Sequence, residues 1–300
     1  MTPPTIALAG ATGDLGSRIA RALISRGAVV LALVRPDISA ADRTHLTALG
    51  LTLAEADPND VGAMAGVLQG TKCVVSALNG LHDVILGRQG VLLNAAVQAG
   101  VPRFIPSDYS EDFTRTTPGD NRNLDLRREF MARADLAPIQ VTSVLNGAFM
   151  DMLGAEMPII QPMIHRILYW GNADQPLDFT TKDDVAVYVA AAAMDDRTPR
   201  FLRISGDTLS ARELAGVMSE VTSERYQTLH VGSLRMLGLM IKVAQRVAPQ
   251  PRETFPAWQG MQYMRDMFSG QGKLDPLDTN RYPELRWTSV RTHMTTRRPG

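Results

Sequence analysis

The sequence predicts an α/β fold for most of the chain. Short apolar segments alternate with segments of helical periodicity from Thr5 to Leu145, and this alternation is typical of a parallel sheet with right-handed crossovers. The first apolar segments are continuous, as expected for strands buried on both faces. The 300 residues are 45% hydrophobic and 21% charged, which indicates a globular chain with one large domain and a smaller partner. We therefore expect a doubly wound parallel sheet of the Rossmann type.

Three glycines follow the first strand at three-residue spacing. Gly10, Gly13 and Gly16 come directly after the strand 6–9, and a helix is predicted over 17–24. In a strand–turn–helix unit, such glycines allow a tight turn, backbone approach to a pyrophosphate and close helix–strand packing. The spacing G-x-x-G-x-x-G differs from the better-known G-x-G-x-x-G. Its position on the first strand predicts nucleotide binding, and a plain glycine-rich turn is the alternative.

The end of the second strand bears on the choice of nucleotide. The apolar segment 28–34 ends at Arg35 and Pro36. An acid at this place hydrogen-bonds a ribose 2′-hydroxyl, whereas an arginine accommodates a 2′-phosphate. Arg35 therefore favours NADP. Asp37 is the candidate that would favour NAD instead, and Arg35 as a solvated cation is the third interpretation.

The next strands are predicted over 51–56, 72–77, 101–105 and 139–145, with helices over 39–49, 60–69, 84–99 and 121–136 between them. Ligands of such sheets bind beyond the carboxyl ends of the strands. Asp57, after the third strand, is placed to flank an adenine. Segments 78–80 and 107–109 should lie beside the cofactor, and the sixth strand leads to Asn146.

The remainder of the chain has a looser pattern. Segment 150–170 has internal prolines and mixed periodicity, and a helix is predicted from Thr181 to Met194. We expect Phe201 to Ser205 to return as a strand of the large sheet. Helices over 210–221, 234–247 and 257–268 and a strand over 227–231 complete the prediction.

Composition and net charge bear on the choice among function classes. Basic and acidic residues number 31 each, so bulk charge gives no reason to expect nucleic acid or a membrane surface as partner. There is no basic segment before Ile6 and no apolar run long enough to span a bilayer, so we expect a cytoplasmic chain. Cys73 is the single cysteine and lies in a predicted strand. It is expected to be a buried, inert thiol, and no metal site is predicted.

Three motifs together resemble those of the NmrA-like and isoflavone reductase-like atypical short-chain dehydrogenases/reductases. They are G-A-T-G-D-L-G at 10–16, R-F-I-P-S-D-Y at 103–109 and T-T-K-D-D-V-A-V-Y-V-A-A-A at 180–192, and Asn280-Arg281-Tyr282-Pro283 is similar too. The resemblance implies an NADP(H)-binding Rossmann domain, here 1–149 plus 178–206, and a smaller α+β substrate domain, 150–177 plus 207–300. It implies that the pyrophosphate is held by Gly10, Thr12, Gly13, Asp14, Leu15 and Gly16, and the 2′-phosphate by Arg35. The nicotinamide side would be lined by Leu78, Asn79, Ser107 and Asn146.

The chain departs from this family at the group that transfers a proton. Family reductases resemble one another in a lysine on the helix after the fifth strand, and the matching position here is Asn123. An amide cannot protonate a developing carbanion or alkoxide. Tyr109, at a strand end, and His82, after the fourth strand, are the candidate substitutes. A packing tyrosine and a surface or capping histidine are the alternatives.

Two functions remain open at this point. The first is an NADP(H)-dependent oxidoreductase that reduces an apolar, aromatic or conjugated small molecule. The 15 methionines favour it, because two clusters, 150–163 and 236–267, fall in the expected substrate domain; core packing is their other interpretation. The second is a non-catalytic NADP(H)-binding redox sensor with a protein partner, which the missing lysine favours.

Overall fold

The computed structural model describes residues 2–154 and 157–296. They form two compact units. The first extends to Tyr109 and includes Leu126–Val144 and Val185–Leu202; the second contains Ser110–Asp125, Leu145–Asp184 and the chain from Arg203 onwards. Segments 110–125, 145–149, 178–184 and 203–206, assigned to the cofactor domain on sequence grounds, therefore fall in the second unit.

The bounds of the regular elements follow the chain. The strands are β1 (Thr5–Ala9), β2 (Val29–Val34), β3 (Thr52–Glu55), β4 (Cys73–Ser76), β5 (Arg103–Ile105), β6 (Gln140–Val141), β7 (Ser143–Leu145), β8 (Ala148–Phe149), β9 (Ile160–Gln161), β10 (Arg166–Trp170), β11 (Leu177–Thr180), β12 (Phe201–Arg203), β13 (Asp207–Leu209) and β14 (Gln227–Gly232). The α-helices are α1 (Asp14–Ser25), α2 (Ala40–Ala48), α3 (Val61–Val67), α4 (Gln89–Gln98), α5 (Arg122–Ala134), α6 (Lys182–Met194), α7 (Ala211–Thr222), α8 (Leu234–Val247), α9 (Ala257–Ser269) and α10 (Val290–Thr296). A π-helical turn, Asp83–Arg88, leads into α4.

The first unit is built on a six-stranded sheet in the order β3-β2-β1-β4-β5-β6. Every neighbouring pair is parallel. The order runs outward from β1 in one direction and from β4 in the other, which is the doubly wound arrangement with its switch point between these two strands. This confirms the fold class predicted from the alternation of apolar and helical segments.

The core of the first unit explains why its strands are hydrophobic throughout. Ile6, Leu8 and Val74 are fully buried in the centre of the sheet, because helices on both faces leave no solvent-facing row. Phe104 of β5 packs against Phe130 of α5, with ring centroids 6.3 Å apart. Buried side chains therefore hold the strand ends in fixed positions.

The second unit contains smaller sheets and its own core. One sheet has the order β13-β11-β8 and another the order β14-β10-β9. Phe179, Ile167 and Leu237 are fully buried in a cluster that includes side chains of α7, α8 and α9. Helix α7 begins with a capping box, in which the Ser210 and Glu213 side chains each accept from the other residue's backbone N–H.

A buried carboxyl group lies in the second unit. Glu111 is buried, and a Cβ at Gly272 would collide with its Oε2. Burial raises the pKa of Glu111 well above its ordinary value, and Asp266 and Asp178 raise it further, while Arg265 opposes them. Glu111 therefore favours its neutral form in the folded chain.

One predicted strand pairs differently from expectation. The segment 139–145 is interrupted at Thr142, so that β6 belongs to the large sheet and β7 pairs with β12. The Ser143 N–H donates to the Arg200 carbonyl at 2.9 Å. The prediction that Phe201 to Ser205 joins the large sheet is wrong. The segment 139–145 leaves the large sheet at Thr142, and β12 pairs with β7, which follows that point. None of the helices in 2–154 and 157–296 has the length and apolarity needed to cross a bilayer.

Candidate functional site

The carboxyl ends of the parallel strands meet at one edge of the sheet in the first unit. Ala9 is in register with Ser76, and Val34 with Glu55. Because the following turns start from this edge, most of the predicted cofactor-binding residues are brought to it. These are Gly10, Thr12, Gly13, Asp14, Leu15, Gly16, Arg35, Asp57, Leu78, Asn79 and Ser107. Asn146 belongs to the second unit.

The three glycines of the first turn have separate structural reasons. Gly10 has φ of +84°, and a Cβ there would lie 2.6 Å from the Ala77 carbonyl oxygen. A Cβ at Gly16 would collide with the Gly10 carbonyl. At Gly13 the nearest atom to an added Cβ is the Gly10 oxygen at 3.3 Å, and Gly13 is exposed. Gly10 and Gly16 are therefore required by packing, whereas Gly13 presents backbone to solvent where a ligand can approach.

The N-terminus of α1 has no side-chain cap. Gly13 is its N-cap residue, whereas α2, α3, α7 and α8 begin with side-chain caps. The Asp14 carboxylate accepts from Arg18 Nε at 2.7 Å. Thr12, Gly13 and Asp14 are exposed, and Leu15 is half-buried. A helix N-terminus without a side-chain cap, preceded by exposed glycine backbone, fits a pyrophosphate.

The two residues that compete for the choice of nucleotide lie beside each other. Arg35 Nε is 3.6 Å from Asp37 Oδ1, and 59% of the arginine side chain is exposed. After β3, the Asp57 carboxylate accepts from the Asn59 backbone and side chain at 2.9 and 3.1 Å. The Arg35 guanidinium is thus near the end of β2 and accessible, as the recognition of a phosphate requires.

The loops after β4 and β5 are joined by hydrogen bonds. Ser107 Oγ donates to the Leu78 carbonyl at 2.5 Å, and the Ser107 N–H donates to Gln89 Oε1 at 2.9 Å. Asn79 is exposed beside Leu78. Gln89 is fully buried, and its Nε2 has no hydrogen-bond partner among the described residues. The sequence reasoning missed Gln89; a lone amide in a helical segment offered no signal beyond its place near a strand end.

A buried acid lies next to Ser107. Asp108 is fully buried and accepts from Ser143 Oγ at 2.6 Å; that hydroxyl accepts from Arg200 Nη1 at 2.8 Å. Burial raises the pKa of Asp108, while the Ser143 hydrogen bond and the charges of Arg127 and Arg200 lower it. The chain of hydrogen bonds holds the end of β5 against the beginning of β7.

Tyr109 has its hydroxyl inside the first unit. The hydroxyl donates to the Ser76 carbonyl at 3.1 Å, and the residue is 7% exposed. Burial raises the pKa of the Tyr109 hydroxyl, and the neighbouring Asp108 raises it further. A group that is enclosed, already bonded and hard to ionise does not favour the role of proton donor predicted for it.

Asn123 is anchored within the second unit. It is buried, and its Nδ2 donates to the Thr254 carbonyl at 2.9 Å. The adjacent Arg122 donates to the Glu253 and Thr254 carbonyls, each at 2.9 Å, and its guanidinium lies 4.6 Å from the centre of the Trp258 ring. The residue at the family lysine position therefore contributes to holding segment 253–254.

His82 is the more accessible of the two candidate proton donors. Its side chain is 70% exposed, and its Nδ1 lies 3.9 Å from Asp83 Oδ1. It follows β4 in the chain, as do Leu78 and Asn79. Cys73, by contrast, is buried in β4, and burial raises the pKa of its thiol to about 12. It suits packing and not nucleophilic chemistry.

Asn146 has an unsatisfied oxygen in the second unit. The residue is fully buried, its N–H donates to the Ser110 carbonyl and its own carbonyl accepts from Thr180 Oγ1 at 2.8 Å. Its Oδ1 has no hydrogen-bond partner among the described residues. A buried acceptor of this kind fits a ligand that carries an N–H donor.

A sequence model of the NmrA-like family matches residues 2–286. The chain belongs to the NmrA-like family. Pinoresinol reductase 2 of Arabidopsis thaliana is 26% identical over 243 residues, which are 75% of this chain and 77% of that protein. The match to the family model extends over nearly the whole chain, and it confirms the resemblance carried by the three sequence motifs.

Solved structures have the same fold. AtPrR2 with NADP⁺ and (+)pinoresinol has a TM-score of 0.81 at 22% identity and covers 99% of both chains. The binary complex of leucoanthocyanidin reductase with NADPH from Vitis vinifera has a TM-score of 0.80 at 20% identity and covers 97% of this chain and 98% of that one. These neighbours are NADP⁺ and NADPH complexes of related reductases, in agreement with the cofactor that Arg35 predicts.

Proposed function

We propose that this member of the NmrA-like family is an NADPH-dependent reductase of an apolar, aromatic or conjugated small molecule. The observation that carries the proposal is the first turn, in which exposed Gly13 backbone leads into a helix without a side-chain cap. The substrate class is supported by the relatives, which include reductases of pinoresinol. Apolar aromatic compounds are therefore the first substrates to test.

The cofactor would be held by residues with distinct tasks. The backbone of 10–16 would bind the pyrophosphate, and Arg35 the 2′-phosphate. Asp57 would flank the adenine. Leu78, Asn79 and Ser107 of the first unit would line the nicotinamide side. Within the second unit, the Asn146 Oδ1 would accept from a ligand N–H. When bound, NADPH supplies the hydride, and the chain supplies position and proton transfer.

We assign the proton transfer to His82 in preference to Tyr109 and Asn123. Its imidazole is exposed and carries a ring N–H that can be donated to a substrate, as a general acid requires. The Tyr109 hydroxyl is enclosed, and the Asn123 amide is engaged with Thr254.

One observation favours a second candidate function. Asn123 carries no titratable proton and serves a structural purpose, as expected if the chain binds NADP(H) without turning over a substrate. Such a chain would act as a redox sensor whose contacts with a protein partner depend on the state of the cofactor.

Stereospecifically deuterated NADPH decides between the two functions. With a panel of conjugated aromatic ethers, enones and quinones, a reductase transfers the label to product and loses turnover in His82→Gln while its NADPH affinity stays constant. A sensor binds NADPH and NADP⁺ with different affinities but transfers no label to any member of the panel. Absence of NADPH binding in the intact chain would contradict both.

A further inference from the structure

Helix α8 presents an apolar row to solvent. At 3.6 residues per turn, the side chains of Met236, Leu239, Met240, Val243 and Val247 fall within an arc of about 100°. All are exposed, with Leu239 at 63% and Val247 at 79%. The opposite face holds the helix in the second unit through Leu237 and Ile241, which are buried in its core. The apolar row is therefore not needed for folding.

A basic row runs beside the apolar one. Arg235, Lys242 and Arg246 lie within about 40° of one another around the helix. All three are exposed, and none has an ion pair or side-chain hydrogen bond among the described residues. The whole segment 225–252 contains five arginines and lysines and no acidic residue. The net charge of zero for the chain hides this local excess.

The dimensions of the surface bear on what can cover it. A helix of 14 residues is about 21 Å long and about 10 Å wide, so its outer face measures roughly 200 Å². A specific protein interface requires about 800 Å² from each partner. In an antiparallel pair of α8 helices, the two-fold axis would also bring both basic rows to the same side. A second copy bound through this face is thus disfavoured by both area and charge.

Binding to a lipid surface requires neither an interface area of that size nor the approach of two basic rows to each other. An amphipathic helix binds at the headgroup level through its apolar face, without a shaped pocket, and cations beside that face attract anionic headgroups. We propose that α8 is a peripheral membrane-binding surface, with Arg235, Lys242 and Arg246 on anionic phospholipid headgroups and the apolar row at the acyl boundary. The proposal is independent of the proposed reductase activity.

Vesicle co-sedimentation of the full chain tests the proposal. We expect binding to vesicles of equal parts phosphatidylglycerol and phosphatidylcholine, and much weaker binding to phosphatidylcholine alone. Each cation near an anionic surface contributes about fivefold, so the triple variant Arg235→Gln, Lys242→Gln, Arg246→Gln should weaken partitioning roughly 100-fold. The control carries the same charge change at the exposed cations Arg21, Arg88 and Arg286 and should keep most of the binding.

A second variant tests the apolar row. Leu239→Ser with Val243→Ser should also weaken partitioning, while circular dichroism and the melting temperature stay close to those of the parent, because both side chains are exposed. If the chain binds to neither kind of vesicle, the proposal is overturned. Equal binding to both kinds of vesicle, unchanged in the triple glutamine variant, also overturns it. A dimer in lipid-free solution that dissociates in the double serine variant would assign this face to a second copy of the chain.

Discussion

Arg35→Ala separates the two nucleotides that the end of β2 could select. Arg35 is exposed, and its bond with Asp37 at 3.6 Å is an exposed ion pair, which contributes about 0–1 kcal/mol to stability. A surface substitution of this kind changes the free energy of unfolding by about 0.5 kcal/mol or less. Any effect on nucleotide binding can therefore be read without a correction for folding.

NADPH affinity should fall while NADH affinity stays the same. A hydrogen bond to a charged group contributes about 1.5–3 kcal/mol. Because Arg35 is exposed and Asp37 competes for its guanidinium, we expect the lower end, about 1.5 kcal/mol, or a roughly tenfold larger Kd for NADPH. Asp37→Asn should have the opposite sign and tighten NADPH, because it removes a negative charge near the 2′-phosphate.

Titration of the intrinsic fluorescence of both reduced nucleotides measures these constants. The matched control is Arg43→Ala, since Arg43 is another arginine of the first unit with a partly exposed side chain, and it pairs with Glu55 at 2.6 Å. It should leave both affinities unchanged. The reasoning fails if Arg35→Ala weakens NADH as much as NADPH, or if Arg43→Ala produces the same loss.

Five further substitutions test the site and the folded state. Gly13→Val should abolish NADPH binding in a folded protein, whereas Gly16→Val should lower the melting temperature, because its Cβ collides with backbone; calorimetry and titration distinguish them. His82→Gln should lower kcat by about 10²–10⁴, while Tyr109→Phe should leave kcat nearly unchanged and reduce stability by about 1 kcal/mol; the reverse pattern would return the proton to the tyrosine. The pKa of Glu111 is raised above 4.5 by burial, so its contribution to stability is full below that pH and declines as pH rises. Glu111→Gln should remove that decline. If the melting temperatures of the parent and the variant change by the same amount between pH 5 and pH 8, this prediction is contradicted.

The parts of the fold that depend on local pattern could be predicted from the sequence. The strand before Gly10, the alternation that follows it and the strand-end positions of Arg35 and Ser107 all follow from buried apolar runs and turn residues. They are short-range features, because a parallel strand buried on both faces must be apolar throughout. The fold class and the edge at which the candidate site lies followed from them.

The parts of the fold that depend on long-range partners could not be predicted from the sequence. Thr142 interrupts the predicted strand 139–145 where the chain exchanges one neighbouring strand for another, and no residue there signals the exchange. The Tyr109 hydroxyl lies at a strand end in the sequence but reaches the carbonyl of Ser76, 33 residues away. Direction of a side chain is set by tertiary packing and not by spacing along the chain.

The hydrogen bonds of Asn123 couple the chemical group at the family lysine position to the attachment of segment 253–254. Asn123→Lys would introduce a titratable ammonium at the family lysine position, but it would also remove the amide that donates to Thr254 and bury a charge among the groups that Arg122 already occupies. Segment 253–254 would lose one of its tethers in the same step. A path from this sequence to a lysine-dependent reductase therefore passes through a loosened connection between α8 and α9, unless a change in that connection comes first.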